Sequence, residues 1–268
     1  MFMIDLQNLL QCPICITANS LVFEPDNDKA RGSFVCNGCQ YKFLFQNGIL
    51  DFLSHDFPYL KNKTWCNKLV LQEKWWLEER SKLTHESVKK KWTPSPTLIK
   101  KYFRLNSINT GRHRTVLDVG CGEGDRYKNF FKMTYIGIDP LVLKNSYLFP
   151  FIRGVAEILP FIDNSIDVIT AIESIDHFFD PKRSIKEMLR CLAPGGGLFI
   201  FAGDGSIKSK AYIDRQRFFT ITEDDVHTYN FSTNYFQELL SEHFETLEID
   251  RENDYMAIWG WNKIPRAI

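Results

Sequence analysis

The stretch Thr115–Asp125 reads TVLDVGCGEGD. Apart from Asp118, its first five residues are apolar or β-branched, the composition of a buried strand. Gly120, Gly122 and Gly124 follow at alternate positions, and RYKNFFKM (126–133) then carries a helical pattern. Strand, glycine loop and helix in succession let a cofactor come close to the backbone. A second strand, YIGID (135–139), ends in Asp139, where an acid at a strand tip can hold both hydroxyls of a ribose. A dinucleotide-binding dehydrogenase has the same two features. The spacing here is G-x-G-x-G, however, and not the G-x-G-x-x-G that sets a helix N-terminus on a pyrophosphate.

The segments that follow decide between the classes. Residues 154–181 read GVAEILPFIDNSIDVITAIESIDHFFDP, and residues 190–201 read RCLAPGGGLFIF. LDVGCGEG, IGIDP, AEILPF, NSIDVI and LAPGGGLFIF closely resemble, in order and spacing, the five motifs of class I S-adenosylmethionine-dependent methyltransferases, over roughly residues 98–262. The resemblance implies an α/β Rossmann-like fold, a seven-stranded mixed sheet with helices on both faces. It also implies that Asp118, Gly120, Gly122 and Gly124 surround the methionine part of S-adenosylmethionine. By the same likeness Asp139 binds the ribose, Ala156 and Glu157 edge the adenine, and Ile172 lies along the cofactor at the end of the fourth strand. About ten residues separate Asp139 from the next strand near Phe151, so the second crossover helix is expected to be short or irregular.

The fourth strand runs into AIESIDHFFD (171–180), which gathers Glu173, Asp176 and His177 within five residues. Three readings are open. The set binds a divalent cation, or His177 is a metal-free base oriented by Asp176 or Glu173, or these side chains only shape a polar pocket. Glu173-x-x-Asp176-His177 resembles the E-x-x-E-H motif of ubiquinone-biosynthesis O-methyltransferases and of small-RNA 3′-end methyltransferases, with Asp in place of the second Glu. In the RNA enzymes these side chains bind a cation, and a downstream His completes the shell. His227, in HTYNFSTNYF (227–236), matches that position. Two carboxylates and two imidazoles suit Mn²⁺, Fe²⁺, Co²⁺ or Zn²⁺ as well as Mg²⁺.

Near the N-terminus Cys12-Pro-Ile-Cys15 and Cys36-Asn-Gly-Cys39 form two Cys-x-x-Cys knuckles twenty residues apart. Four thiolates at this spacing suit a closed tetrahedral structural Zn²⁺ site. Gly38 is expected where the backbone turns tightly around the metal. Asn47-Gly48 between apolar runs signals a hairpin. CPIC…CNGC…NGILDFL resembles the zinc-ribbon module of a small methyltransferase-activator subunit, over about residues 8–54.

With 268 residues, 44% hydrophobic, the chain is long enough for one α/β domain and a small accessory module. No apolar run is long enough to cross a bilayer, and the first residues lack the pattern of a secretory signal. Seven cysteines without a spread-out disulfide framework point to a reducing compartment, so the cytoplasm is expected. A net charge of zero conceals an asymmetry, since Lys61–Arg114 carries 14 Lys/Arg against 4 Asp/Glu together with four tryptophans. Such a stretch either binds an anionic partner or forms an amphipathic helix whose tryptophans pack.

The expected organisation is a zinc ribbon over residues 1–56, a basic helical linker over 57–97 and a methyltransferase domain over 98–268. Ser232 is expected to cap a helix running to Leu240, with Phe244–Asp250 and Tyr255–Trp261 as a closing antiparallel pair. The long loop 203–231 would wall the substrate, with Arg215 and Arg217 available to an anionic acceptor. The expected activity is S-adenosylmethionine-dependent O-methylation of a small molecule, a sugar or phenolic with adjacent hydroxyls. Structural Zn²⁺, and Mg²⁺ or Mn²⁺ at the second site, would be the metals. The rivals are an RNA methyltransferase, which the basic segment favours, and a catalytically silent binding protein. No membrane partner is expected.

Overall fold

A computed structural model describes residues 6–27, 31–53, 58–78, 94–105, 115–124, 134–205, 219–221 and 227–265. The expected helix at 126–133, Trp92, Arg215 and Arg217 lie outside the described residues.

Four short strands open the chain: β1 (Leu21–Pro25), β2 (Arg31–Cys36), β3 (Lys42–Gln46) and β4 (Ile49–Asp51). They pair antiparallel in sequence order. Asn47 and Gly48 both take positive φ, 55° and 77°, which suits the two-residue β3–β4 turn. Helix α1 (Lys63–Glu78) and helix α2 (Pro96–Leu105) follow.

The central sheet is built from β5 (Thr115–Val119), β6 (Thr134–Asp139), β7 (Phe151–Arg153), β8 (Ile166–Ile172), β9 (Leu192–Gly203), β12 (Phe244–Glu252) and β13 (Tyr255–Lys263). Its order is β7-β6-β5-β8-β9-β13-β12, parallel except for β13, which runs antiparallel to both β9 and β12. This is the Rossmann-like class I methyltransferase fold. Strand β4 adds in parallel to β7, pairing Ile49 with Phe151 and Asp51 with Arg153, so the N-terminal strands extend the sheet to eleven. That junction was not legible in the sequence.

Alternation along the strands supplies two apolar faces. One gathers Leu117, Ile136, Ile169 and Ile200 under Ile185 and Met188 of helix α3 (Pro181–Cys191) and Phe236 of helix α4 (Thr233–Leu240). The other gathers Val116, Tyr135, Val168, Phe199 and Trp259 against Ile99 and Tyr102 of α2. Tyr102 stacks on Trp259, with centroids 5.6 Å apart, and donates its hydroxyl to Asp250 of β12. Residues 140–150, between β6 and β7, contain no helix, as the short spacing predicted. Tyr147 stacks there on Phe151 at 3.8 Å.

One local expectation needs correction: Ser232 precedes α4 as expected, but its side chain makes no capping hydrogen bond. Gly38 lies in the turn 37–39 of the second knuckle, as expected. The left-handed conformation falls on Ile16 and Gln40, the residue after each knuckle, where Ile16 N donates to Cys12 O and Gln40 N to Cys36 O. A Cβ on Gly38 would lie 3.4 Å from Cys15 Sγ, so the glycine keeps space beside the thiols. Two further short strands, β10 (Phe219–Ile221) and β11 (Tyr229–Phe231), pair with each other. Among the described residues no helix is long and apolar enough to cross a membrane.

Candidate functional site

A pocket opens at the carboxyl ends of β5, β6 and β8, where α/β sheets place their ligands. Gly120 lies on its floor with φ 74°, and a Cβ there would come within 2.3 Å of Ser174 Cβ. Only glycine fits both the conformation and the contact. Ser174 Oγ in turn donates to Val119 O at 2.7 Å, which ties the β8 exit to the β5 exit. Asp139 lines the pocket from the tip of β6, accepting the backbone N–H of Gly122 on one oxygen and that of Leu141 on the other, both at 2.8 Å. Each carboxylate oxygen keeps a second acceptor position. Burial pushes the Asp139 carboxyl up to about 6, against the pull of those two N–H groups.

Other residues assigned from the glycine motif sit elsewhere. Asp118 is 1% exposed and does not line the pocket. It lies among the residues facing α2, accepting hydrogen bonds from Tyr135 Oη and, at 2.7 Å, from Thr170 Oγ1, and burial pushes it up to about 6. Gly122 and Gly124 lie beyond the lining. Gly122 faces Trp76, whereas a Cβ on Gly124 would strike the Phe149 ring at 2.1 Å. Ile172 belongs to the apolar face with Val168 and Phe201. Ala156 and Glu157 do line the pocket, but Glu157 Oε1 accepts from Phe179 N and Asp180 N, fixing the turn before α3.

The roof is α1, which lies within the basic segment 61–114 of the sequence. Trp65, Leu69, Gln72 and Trp76 recur at i, i+4, i+7 and i+11, one helix face, and all four line the pocket. Trp65 and Trp76 therefore pack, and they pack against a site. Periodicity announced the face but not what it covers.

The β8 exit brings Asp176, His177 and His227 together, with one ligand atom from each mutually within 4.8 Å. Asp176 Oδ1 lies 3.9 Å from His177 Nε2, and Oδ2 lies 4.0 Å from His227 Nε2. The two imidazoles stack with centroids 4.8 Å apart. His177 also lines the pocket, so the cluster stands at its rim. Glu173 is outside this group of three. It lines the pocket at φ 54°, the left-handed region, and its N–H donates to Phe201 O. One carboxylate and two imidazoles in this spacing fit a divalent cation.

The four thiols of Cys12, Cys15, Cys36 and Cys39 also converge. Cys12 and Cys39 Sγ are 3.6 Å apart, and Cys15 and Cys36 Sγ 3.5 Å. A tetrahedron with Zn–S bonds of about 2.3 Å has edges of about 3.8 Å, so the set fits Zn²⁺. Burial pushes the Cys12 thiol up. Burial opposes ionisation of Cys36 too, but the Ser20 hydroxyl and the N–H groups of Cys39 and Gly38 hold that thiol down at about 6.

Comparison with known proteins agrees with this geometry. Residues 117–200 match the family described as a methyltransferase domain. A candidate methyltransferase of Encephalitozoon cuniculi is 29% identical over 52% of this chain and 65% of its own length. The ubiquinone/menaquinone biosynthesis C-methyltransferase UbiE of Hahella chejuensis is 30% identical over 42% of this chain and 53% of its own. The chain thus spans about half to two thirds of the length of these relatives. Burkholderia thailandensis 1,6-didemethyltoxoflavin-N1-methyltransferase, solved with S-adenosylhomocysteine, superposes with a TM-score of 0.53 at 12% identity, covering 88% of this chain and 97% of that one. The likeness is one of fold. The fold is that of class I methyltransferases, and residues 117–200 carry the match to a methyltransferase domain.

Proposed function

We propose that this chain is an S-adenosylmethionine-dependent methyltransferase that methylates a hydroxyl of a small molecule bearing adjacent hydroxyls, a sugar or a phenolic. The convergence of Asp176, His177 and His227 at the rim of the pocket carries this reading. Bound S-adenosylmethionine supplies a sulfonium methyl already activated for transfer. Asp139 accepts the ribose hydroxyls, and the bare backbone at Gly120 admits the cofactor beside Ser174. Trp65, Leu69, Gln72 and Trp76 cover the pocket and keep water from it. Asp176, His177 and His227 would hold Mg²⁺ or Mn²⁺, with Glu173 on the pocket wall, and the chemistry supplied there would be a lowering of the acceptor hydroxyl's pKa. In a protein lacking the cation, His177 takes the hydroxyl proton as base. Cys12, Cys15, Cys36 and Cys39 hold a structural Zn²⁺ in a module over residues 1–56, joined through residues 57–97 to the transferase domain over 98–268.

The C-methyltransferase relatives support a carbon acceptor as the second reading. Calorimetric titration of Mn²⁺ into zinc-loaded protein saturated with S-adenosylhomocysteine tests the first, with His177→Ala and His227→Ala in parallel. One Mn²⁺ site, lost in both variants, is expected. Absence of Mn²⁺ binding in the unaltered protein removes the cation from the proposal. Transfer of a ¹³C-methyl group to a panel of catechols and vicinal diols then separates a methoxy product from a C-methyl product by chemical shift. RNA as acceptor would appear as salt-sensitive RNA binding.

A further inference from the structure

His177 and His227 come from distant parts of the chain. His177 ends the short 3₁₀ turn Ile175–His177 after β8, and His227 lies two residues before β11. One direct main-chain bond, Thr228 N to Asp176 O at 2.7 Å, joins the two segments. Tyr229 Oη donates to Phe179 O at 2.8 Å as a second bond between them, and the two imidazoles stack.

Helix α1 adds a hydrogen bond to the main chain of each histidine. The indole N–H of Trp65 donates to His177 O at 3.0 Å, across 112 positions. Lys68 Nζ donates to His227 O at 2.5 Å, across 159 positions. Each of these side chains therefore holds the main-chain carbonyl of one histidine. Residues i and i+3 stand side by side on a helix, about 5–6 Å apart. Trp65 is buried and packs edge-on against Phe179 at 5.8 Å, which limits its movement.

We propose that Trp65 and Lys68 are positioning residues that set the mutual placement of His177 and His227 by gripping their two carbonyls from adjacent positions of α1. Neither acts on the transferred methyl. The role rests on the reading of the histidine pair as part of the transfer site. It adds that the helix covering the cofactor pocket and the helix aligning the acceptor-side imidazoles are one rigid element. Trp65, Leu69, Gln72 and Trp76 form the pocket roof, and Lys68 lies outside the lining. Lys68 can thus be altered without touching the cofactor wall.

The test uses the full zinc-loaded chain with ¹³C-labelled histidine, free and saturated with S-adenosylhomocysteine. The protein has six histidines, and the resonances of the pair are assigned with His177→Gln and His227→Gln. A ring-to-ring nuclear Overhauser contact between His177 and His227 is expected in the unaltered protein. It is expected to be lost in Lys68→Met and in Trp65→Phe, which keeps an aromatic ring but has no donor, and to return in Lys68→Arg. Calorimetric affinity of Lys68→Met for S-adenosylhomocysteine is expected to match the unaltered protein. A contact that persists in both Lys68→Met and Trp65→Phe overturns the proposal, as does its absence from the unaltered protein. Equal loss in Lys68→Arg overturns it too, because shape and not the cationic donor would then be at work. Failure to bind S-adenosylhomocysteine would instead strike the methyltransferase reading, and the ring contact is measured independently of it.

Discussion

Asp51 and Arg153 face each other across the parallel β4–β7 junction, with Oδ2 and Nη1 3.0 Å apart. Phe52 N donates to Arg153 O just beyond, and Arg153 Nε donates to Pro140 O. Further along the same segment, Gln11 N donates to Pro160 O and Ile162 N to Leu9 O. The N-terminal module therefore holds the segment 151–162 at both ends. Gly154 to Glu157, one wall of the pocket, lie between those two attachments. The ion pair itself is partly solvated and contributes at most about 1 kcal/mol. Strand pairing and the shared apolar core of Phe43, Phe52, Leu159 and Phe161 do the greater part of the holding.

It follows that loosening the four thiols should be felt at the cofactor pocket. Metal chelation or Cys36→Ser is expected to weaken S-adenosylhomocysteine binding about tenfold, within the usual range of site-to-site coupling. Asp51→Asn should change it little. Calorimetry on chelated and reconstituted protein makes the comparison, and undiminished affinity in the chelated protein would show the module to be an independent appendage.

Gly120→Ala should cost about 1–3 kcal/mol of stability, because it adds a strained positive φ to a steric clash with Ser174. Gly48→Ala also forces a positive φ, yet nothing lies within 4 Å of its Cβ, so about 1 kcal/mol is expected. Urea denaturation of the two variants should rank them in that order. Only Gly120→Ala should also abolish S-adenosylhomocysteine binding.

Asp118 and Asp139 are both pushed up to about 6 by burial, from 3.8. The folded state then holds these protons more tightly than the unfolded state. Their contribution to stability is complete below about pH 4 and is lost as pH rises through about 6, on the order of 3 kcal/mol for each group. Ribose hydroxyls, by contrast, need the ionised form of Asp139 as acceptor. Between pH 7.5 and 5.5 the free protein should gain stability while its affinity for S-adenosylhomocysteine falls. Asp118→Asn should flatten the stability curve only, and Asp139→Asn should flatten both. Parallel slopes in the unaltered protein would contradict this assignment.

Strands β5 and β6 were legible in their apolar, β-branched runs and the rest of the sheet in the resemblance of five ordered motifs, and the four cysteines were legible because metal knuckles have fixed spacing. The roof was only half legible. The repeat of Trp65, Leu69, Gln72 and Trp76 marks an apolar face, but whether that face meets a core or a pocket depends on chain path, which periodicity does not encode. The parallel β4–β7 junction escaped for the same reason, as parallel pairing joins strands remote in sequence. Asp118 shows a further limit. Its place in the glycine motif says where its Cα lies, while strand alternation turns its side chain toward Tyr135 and Thr170.

Glu173 offers the last test. Its φ of 54° is unusual for a residue with a long side chain, and it falls at the point where β8 turns into the Asp176–His177 segment. Holding such a conformation costs about 1 kcal/mol or more, which the Glu173 N to Phe201 O bond and the anchored Ser174 sustain. Glycine would relieve the strain, less some entropy lost from a more flexible unfolded chain. Glu173→Gly should therefore raise the thermal midpoint while slowing methyl transfer to whichever acceptor the panel identifies. Glu173→Ala, which keeps the strain and loses the carboxylate, should slow transfer equally without that gain. A lower midpoint for the glycine variant would mean that the carboxylate contributes more to the fold than its backbone costs, and that Glu173 is a structural residue at the pocket wall.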